Sequence, residues 1–318
     1  MRAIAKLRSL SEVTDQLLRS DYSAEISKLP REEVDSVRLE RIFLKTLVER
    51  YFTLARDARG KAREFIETFA TRIEVENLKR ILRAKHAKEK IEEHNLMPLG
   101  REYTLVNFPA LMKAENIDEV ASLLRETVYA SIGERLDTYA RTGLPTILES
   151  FLDVTYFGRV WEKLGRLPDR KDLEWLIGEE IDLRNLQLIF TLKMRDVAPR
   201  LIEELSIPIF YRLRNSIIRR LVQGGLDDAP GILAGTSYDS LADEILRKTK
   251  EPAANLEALI IRRLYQDASS ALGNLFLEFG YVVSYLLVCE REAKDLVTIT
   301  TALDLGISED ELQRRLVF

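Results

Sequence analysis

The 318-residue chain sets 48 Lys and Arg against 52 Asp and Glu, a net charge of −4, and so lacks the basic surplus that general nucleic-acid binding requires. Its one cysteine, Cys289, excludes an internal disulfide and a thiolate metal site, and within YVVSYLLVCE it reads as a small buried hydrophobe. Hydrophobic residues at 46%, charged residues at 31% and only 14 Gly and 9 Pro indicate a helix-rich chain able to bury a sizeable core, and argue against a β-sandwich.

In chain order, the opening MRAIAKLRSL is too short and too charged for a secretory signal. Ser9 and Glu12 form a Ser-x-x-Glu capping box before a helix that carries Val13, Leu17 and Leu18. Pro30 with Arg31-Glu32-Glu33 predicts the first turn of the next helix. From Val37 to Ala70 the chain reads as one long periodic pattern, with Leu39, Phe43, Leu47, Tyr51 and Leu54, divided by a break near Arg59-Gly60. Ile73–Lys90 is predicted as a further helix, and the stretch from His94 to Phe108 as a connector. Asn116 and Glu119 cap the next helix, and a long amphipathic stretch follows, interrupted at Gly143, Pro145 and Pro168. Asp169 is a candidate cap for a helix Leu173–Gly178, ahead of a second one, Ile181–Met194. Further helix is predicted over Ala198–Leu226, and a loop over Gly224–Tyr238, GGLDDAPGILAGTSY. Leu256–Leu287 is apolar on one side, with Leu264, Leu272, Leu275 and Phe279. Leu305-Gly306 stops a helix, and Ser308 with Glu311 caps a last one. No strand is predicted, and the longest apolar run, Tyr281–Cys289, is about half of what a spanning helix needs.

One pattern recurs. Asn77-Leu78 with Ile81, Asn185-Leu186 with Ile189, and Asp295-Leu296 with Ile299 stand 108 and 110 residues apart. In step with them, Val13, Leu17 and Tyr22 fall on Val120, Leu124 and Tyr129, 107 residues later, and a third version is placed at Ser237–Thr249 through Leu246 and Thr249. The chain is therefore all-α, with three tandem helical repeats over residues 1–115, 116–235 and 236–318, the last shortened in its middle. Leu78, Ile81, Leu186, Ile189, Leu296 and Ile299 are predicted core. Asn inside a helix disfavours it by about 0.5 kcal/mol against Ala, so Asn77 and Asn185 are expected to hold a specific hydrogen bond, for instance to the end of a neighbouring helix. An ionised Asp295 accepts such a bond and cannot donate one.

No chemistry-bearing motif stands out. His86 and His94 match no zinc spacing, and Gly231-Ile-Leu-Ala-Gly235 lacks the lysine of a phosphate loop. No catalytic, cofactor or metal residue is expected. Arg80, Arg83 and Lys85, within a basic run from Lys79 to Lys90, are either a solvated helix face or a face that docks an acidic partner.

The set Glu76-Asn77-Leu78-Lys79-Arg80-Ile81-Leu82-Arg83-Ala84-Lys85, Arg184-Asn185-Leu186 with Ile189, and the tail Gly306-Ile307-Ser308 with Glu311-Leu312 and Leu316-Val317 resembles the C-type subunit of the archaeal and bacterial V/A-type ATPase/ATP synthase, the counterpart of the d-type subunit of the eukaryotic vacuolar enzyme. The third copy departs from the pattern, with Asp295 for Asn and Thr301 and Leu303 in place of Arg83 and Lys85. The resemblance implies a funnel of three helical domains about a pseudo-threefold axis. It implies a non-catalytic socket on the cytoplasmic side of the membrane, joining the central shaft subunits (D and F type) to the membrane proteolipid ring, with no cofactor of its own. ATP synthesis or hydrolysis, coupled to protons or sodium, would occur through other subunits. The alternative is a helical-repeat scaffold that binds a partner helix in another complex.

Overall fold

The computed structural model describes residues 3–168, 170–241, 244, 252–274 and 278–316, and among them every regular element is a helix. Contacts group the chain into two compact units. One comprises Met1–Ala70, Glu93–Gly100 and Tyr265–Phe318, the other Thr71–Glu92 and Arg101–Leu264.

In the first unit, Ser9 caps α1 (Leu10–Leu17) by accepting from the Glu12 amide at 3.2 Å, while Glu12 Oε2 accepts from the Arg8 amide at 2.8 Å. The short α2 (Ser23–Ile26) leads to a single 3-10 turn, Arg31–Glu33. The helix expected at Pro30 starts later, as α3 (Ser36–Asp57), because Asp35 supplies the cap that Pro30 cannot, accepting from the Arg38 amide at 2.7 Å. Gly60, with φ +56°, provides the left-handed residue that separates α3 from α4 (Gly60–Ala87).

In the second unit, α5 (Phe108–Lys113), α6 (Ile117–Leu123) and α7 (Leu136–Thr142) precede the long α8 (Thr146–Leu164) and α9 (Lys171–Lys193). Asn116 caps α6 through the Glu119 amide at 2.9 Å. Asp169 lies outside the described residues, as do Leu275 and Val317. The two helices expected on either side of Gly178 are one. Gly178 is not a break there: a Cβ on it would run into the ring of Tyr211, so it admits the chain that returns across the helix. The stretch expected to be helical from Ala198 splits into α10 (Pro199–Leu205) and α11 (Asn215–Gln223), with the non-helical chain between them carrying that return. The expected loop after Gly224 in fact holds a 3-10 turn, Leu226–Asp228, and α12 (Ala229–Leu233). The core of this unit gathers Ile147, Leu186, Ile189, Phe190, Leu205 and Leu221.

α13 (Pro252–Asn274), α14 (Phe279–Asp304) and α15 (Glu309–Arg315) complete the order. α14 packs along α3, and Tyr22, Phe43, Tyr51, Phe65 and Phe69 fill the core of the first unit, with Tyr22 edge-on to Phe43 at 5.3 Å. Ser308 caps α15 through the Glu311 amide, as the spacing predicts.

Candidate functional site

Three buried polar junctions recur along the chain, and each is built from the same parts. A short helix ends at Leu17, just before Leu124, or at Leu233. The hydroxyl of Ser20, Thr127 or Thr236 donates to that leucine's carbonyl at 2.6, 2.7 and 2.7 Å, and accepts from the amide two residues on at 3.3, 3.1 and 3.2 Å. This local turn aims Tyr22, Tyr129 or Tyr238 inward, each no more than 2% exposed. The phenols donate to Glu292 Oε1 (2.8 Å), Glu74 Oε1 (2.7 Å) and Asp182 Oδ2 (3.0 Å), respectively. These carboxylates sit on α14, α4 and α9, one turn before Asp295, Asn77 and Asn185, at the same spacings of 110 and 108 residues.

The three carboxylates differ in what else they hold. Glu74, fully buried, also accepts from Thr104 Oγ1 and the Leu105 amide, both at 2.6 Å. Asp182, equally buried, accepts from the amides of Tyr211, Arg212 and Leu213 at 3.3, 2.7 and 2.9 Å. Burial pushes its carboxyl above the ordinary range, against the downward pull of those amides and of Tyr238. Glu292 is one-third exposed and also faces Arg50 at 3.5 Å, whose guanidinium lies over the Tyr22 ring.

Burial, and then the facing carboxylate, raise the phenols of Tyr22, Tyr129 and Tyr238 well above the ordinary tyrosine range, and burial pushes Tyr285 up to about 12. The folded chain keeps these protons at a pH where the unfolded chain releases them. Their contribution to stability is therefore complete below pH ~10 and is lost as pH rises beyond it. In an alkaline titration followed at 295 nm, the three junction tyrosines should ionise only together with the loss of the helical circular dichroism signal. If all 11 tyrosines ionised near pH ~10 with helicity intact, the junctions would be open in solution.

The position one turn after each carboxylate fixes the same helices differently. Asn185, fully buried, donates from Nδ2 to the Ile207 carbonyl at 3.0 Å and accepts from the Ile207 amide at 2.8 Å, two residues past the end of α10. Asn77 is buried to 1% exposure. In the third copy, Asp295 is buried against the Arg291 guanidinium one turn earlier, where the other two helices carry Ile73 and Ile181. Leu78, Ile81, Leu186, Ile189, Leu296 and Ile299 are all core, none above 1% exposed. Each helix closes with a left-handed residue at the equivalent place, Lys88, Asp196 and Gly306, and with Glu89, Val197 and Ile307 donating back to the carbonyls of Ala84, Leu192 and Ala302.

The basic run is bound within the second unit. Arg80 approaches Glu76 at 3.7 Å, Arg83 grips both oxygens of Glu149 at 2.8 and 2.7 Å, and Lys79 reaches Asp153 at 2.6 Å. Lys85 donates to the Met112 carbonyl at 2.7 Å, near the end of α5, as Lys193 donates to the carbonyls of Val222 and Gly224 at the end of α11. The tyrosine–carboxylate pairing is not among the expectations from sequence. Its signal is a second periodic series, Glu74, Asp182 and Glu292, lying beside the Asn/Asp series. Leu246 and Thr249 lie outside the described residues; the third turn of this kind is formed by Leu233, Thr236 and Tyr238.

Chemically, each junction ties one long helix to a sequence-remote short one through a buried phenol that donates to a carboxylate, which fixes packing. Among the described residues no group of three His, Cys, Asp or Glu side chains is placed to hold a metal ion, and no helix is long and apolar enough to cross a membrane.

Comparison with known proteins accords with this architecture. The profile of the ATP synthase (C/AC39) subunit family, vATP-synt_AC39, matches residues 1–315. The chain is similar to the C-type component of the A-type ATP synthase of Methanosarcina mazei, 23% identical over 97% of this chain and 85% of the relative. It is similar to the corresponding A-type ATP synthase proteins of Methanothermobacter thermautotrophicus, at 24% identity over 92% and 78%, and of Halorubrum lacusprofundi, at 24% over 96% and 89%. With a family match over nearly its whole length, the chain belongs to the ATP synthase (C/AC39) subunit family.

Proposed function

We propose that this chain is the non-catalytic central-stalk subunit of a V/A-type rotary ATPase/ATP synthase, a socket that joins the D- and F-type shaft subunits to the membrane proteolipid ring on the cytoplasmic side. The observation that carries the proposal is the whole-length family match. The recurring junction supports the accompanying shape, three repeats over residues 1–115, 116–235 and 236–318 set as a funnel about a pseudo-threefold axis. Tyr129 pairs with the first signature helix, Tyr238 with the second and Tyr22 with the third, so each of the three signature helices carries one such junction. Torque transmission needs a stiff body, and long helices pinned by buried polar junctions supply one. The coupled ion, H⁺ or Na⁺, would bind in the ring.

The test is size exclusion with native mass on the purified chain mixed with shaft subunits of the same organism. A one-to-one complex is expected. A folded chain that binds neither the shaft nor the assembled ring would overturn the reading in favour of a scaffold that binds a partner helix elsewhere. In the same experiment, reversing Arg80, Arg83 and Lys85 together to Glu should weaken the complex if the basic run docks a partner. Because Arg83 and Lys85 are tied to Glu149 and Met112, the variant's helicity is checked first. Unchanged binding would leave these cations as internal ties only.

A further inference from the structure

We infer that the segment from Ala3 to Leu29 is a releasable strap on the first unit. It is the one of the three short-helix copies able to detach while the helices that hold it stay folded. Three independent contrasts carry this.

The first is sequence distance. Tyr129 and Tyr238 lie 55 and 56 residues from their carboxylates, whereas Tyr22 lies 270 residues from Glu292. The copies at α6 and α12 follow their carboxylates in the chain, whereas the strap precedes its own and is joined through residues 30–35 to α3, the helix packed along α14.

The second is the anchor. Glu74 and Asp182 are sealed from solvent and are fixed by backbone amides that belong to returning chain. Glu292 is one-third exposed and is held by two side chains, Tyr22 and Arg50. A carboxylate with water at hand loses little when its phenol leaves, because water replaces the donor. Among the described residues, the remaining polar ties of the strap, Asp21 to Arg50, Glu25 to Lys45 and Asp15 to Arg31, each include at least one well-exposed side chain.

The third is what remains when the strap leaves. α3 and α14 pack along each other, and Phe65, Phe69 and Tyr51 form a ring cluster that excludes Tyr22, so the unit keeps a core. The strap itself contributes Ile4, Ala5, Val13, Leu17, Tyr22 and Ile26, all on its inner side, and its first turn, Ile4–Lys6, packs on α15.

Opening of the strap does not depend on the socket reading. Its use does: on that reading, the strap is the part of the first unit that yields while partners are fitted and then shuts.

Hydrogen exchange of the full-length chain, read by mass spectrometry, tests the opening. Amides of residues 10–26 should exchange about 10- to 100-fold faster than those of residues 117–132, with no change elsewhere. Tyr22→Phe and, separately, Glu292→Gln should speed exchange in 10–26 several-fold and leave 117–132 unaltered, and Tyr129→Phe should leave 10–26 unaltered. A labelled peptide of residues 3–29 should enter the full-length chain in trans and be competed out by the unlabelled peptide. Exchange of 10–26 that is no faster than that of 117–132, and that proceeds only with global unfolding, would overturn the inference while leaving the socket reading intact. Failure to bind the shaft would overturn the socket reading while leaving the strap.

Discussion

Asp182→Ala should destabilise the second unit by about 3–5 kcal/mol, a large share of the roughly 5–15 kcal/mol that holds a typical domain together. The carboxylate is fully buried and is the common acceptor of four donors: the amides of Tyr211, Arg212 and Leu213 and the hydroxyl of Tyr238. Alanine removes every acceptor at once and offers water no route in. Each orphaned donor then carries its own desolvation penalty of about 1–3 kcal/mol, relieved in part by local rearrangement. Tyr238→Phe removes one hydrogen bond and leaves three donors satisfied, so its effect should be about 1–1.5 kcal/mol. Asp182→Asn should fall between the two, since its single oxygen accepts while its amide group faces other donors. Urea unfolding by far-UV circular dichroism gives the ordering, and calorimetry shows whether the second unit melts separately, in which case its transition alone should shift. Glu292→Ala should lose under about 1 kcal/mol, because water already reaches that carboxylate. Equal losses at Asp182 and Glu292 would mean that solvent access does not set the strength of these junctions.

The helices are legible in the sequence because their signals are local. Ser9, Asn116 and Ser308 cap where the spacing places them, since a cap and its recipient amide lie three residues apart. Two local signals mislead for physical reasons. Pro30 suits a first helical turn, but Asp35 competes with a side-chain oxygen and wins the helix start. Gly178 reads as a stop, but its missing side chain makes room for the Tyr211 ring, and the helix continues through it. The junctions are only half legible. The turns that position Tyr22 and Tyr129 show as matching sequence, whereas the third copy is disguised by Gly225 and Ala229 where the others have Ser9 or Asn116 and Val13 or Val120. The carboxylate partners are hidden by distance in the chain. Acids on helix surfaces are so common that Glu74, Asp182 and Glu292 stand out only once the fold sets a phenol on each.

The second large effect is expected at the one place where the recurrent helix changes its chemistry. Position 295 carries Asp where the first two copies carry Asn, and the substitution is matched one turn earlier by Arg291 in place of Ile73 and Ile181. Both side chains of the pair are buried, Asp295 at 1% and Arg291 at 9% exposure, and the guanidinium bonds the carboxylate through Nε and Nη2. Arg291→Ala takes the guanidinium away from a buried carboxylate, and Asp295→Asn takes the carboxylate away from a buried guanidinium. Each single change should cost about 3–5 kcal/mol. A buried ion pair as a whole adds little net stability, because desolvating two charges offsets most of their attraction. The double variant Arg291→Ile with Asp295→Asn, which rebuilds the Ile-x-x-x-Asn of the other two helices, should therefore recover most of the loss and stand within about 1 kcal/mol of the parent chain. The double-mutant cycle then shows a coupling of several kcal/mol, the mark of two residues exchanged as a set. If the double variant were as unstable as either single one, the arginine would be holding α14 to its neighbours and not merely neutralising Asp295. Recovery would show that Arg291 with Asp295 and Ile181 with Asn185 are two solutions to one packing problem, which is why the third helix keeps its place among the three despite its altered sequence.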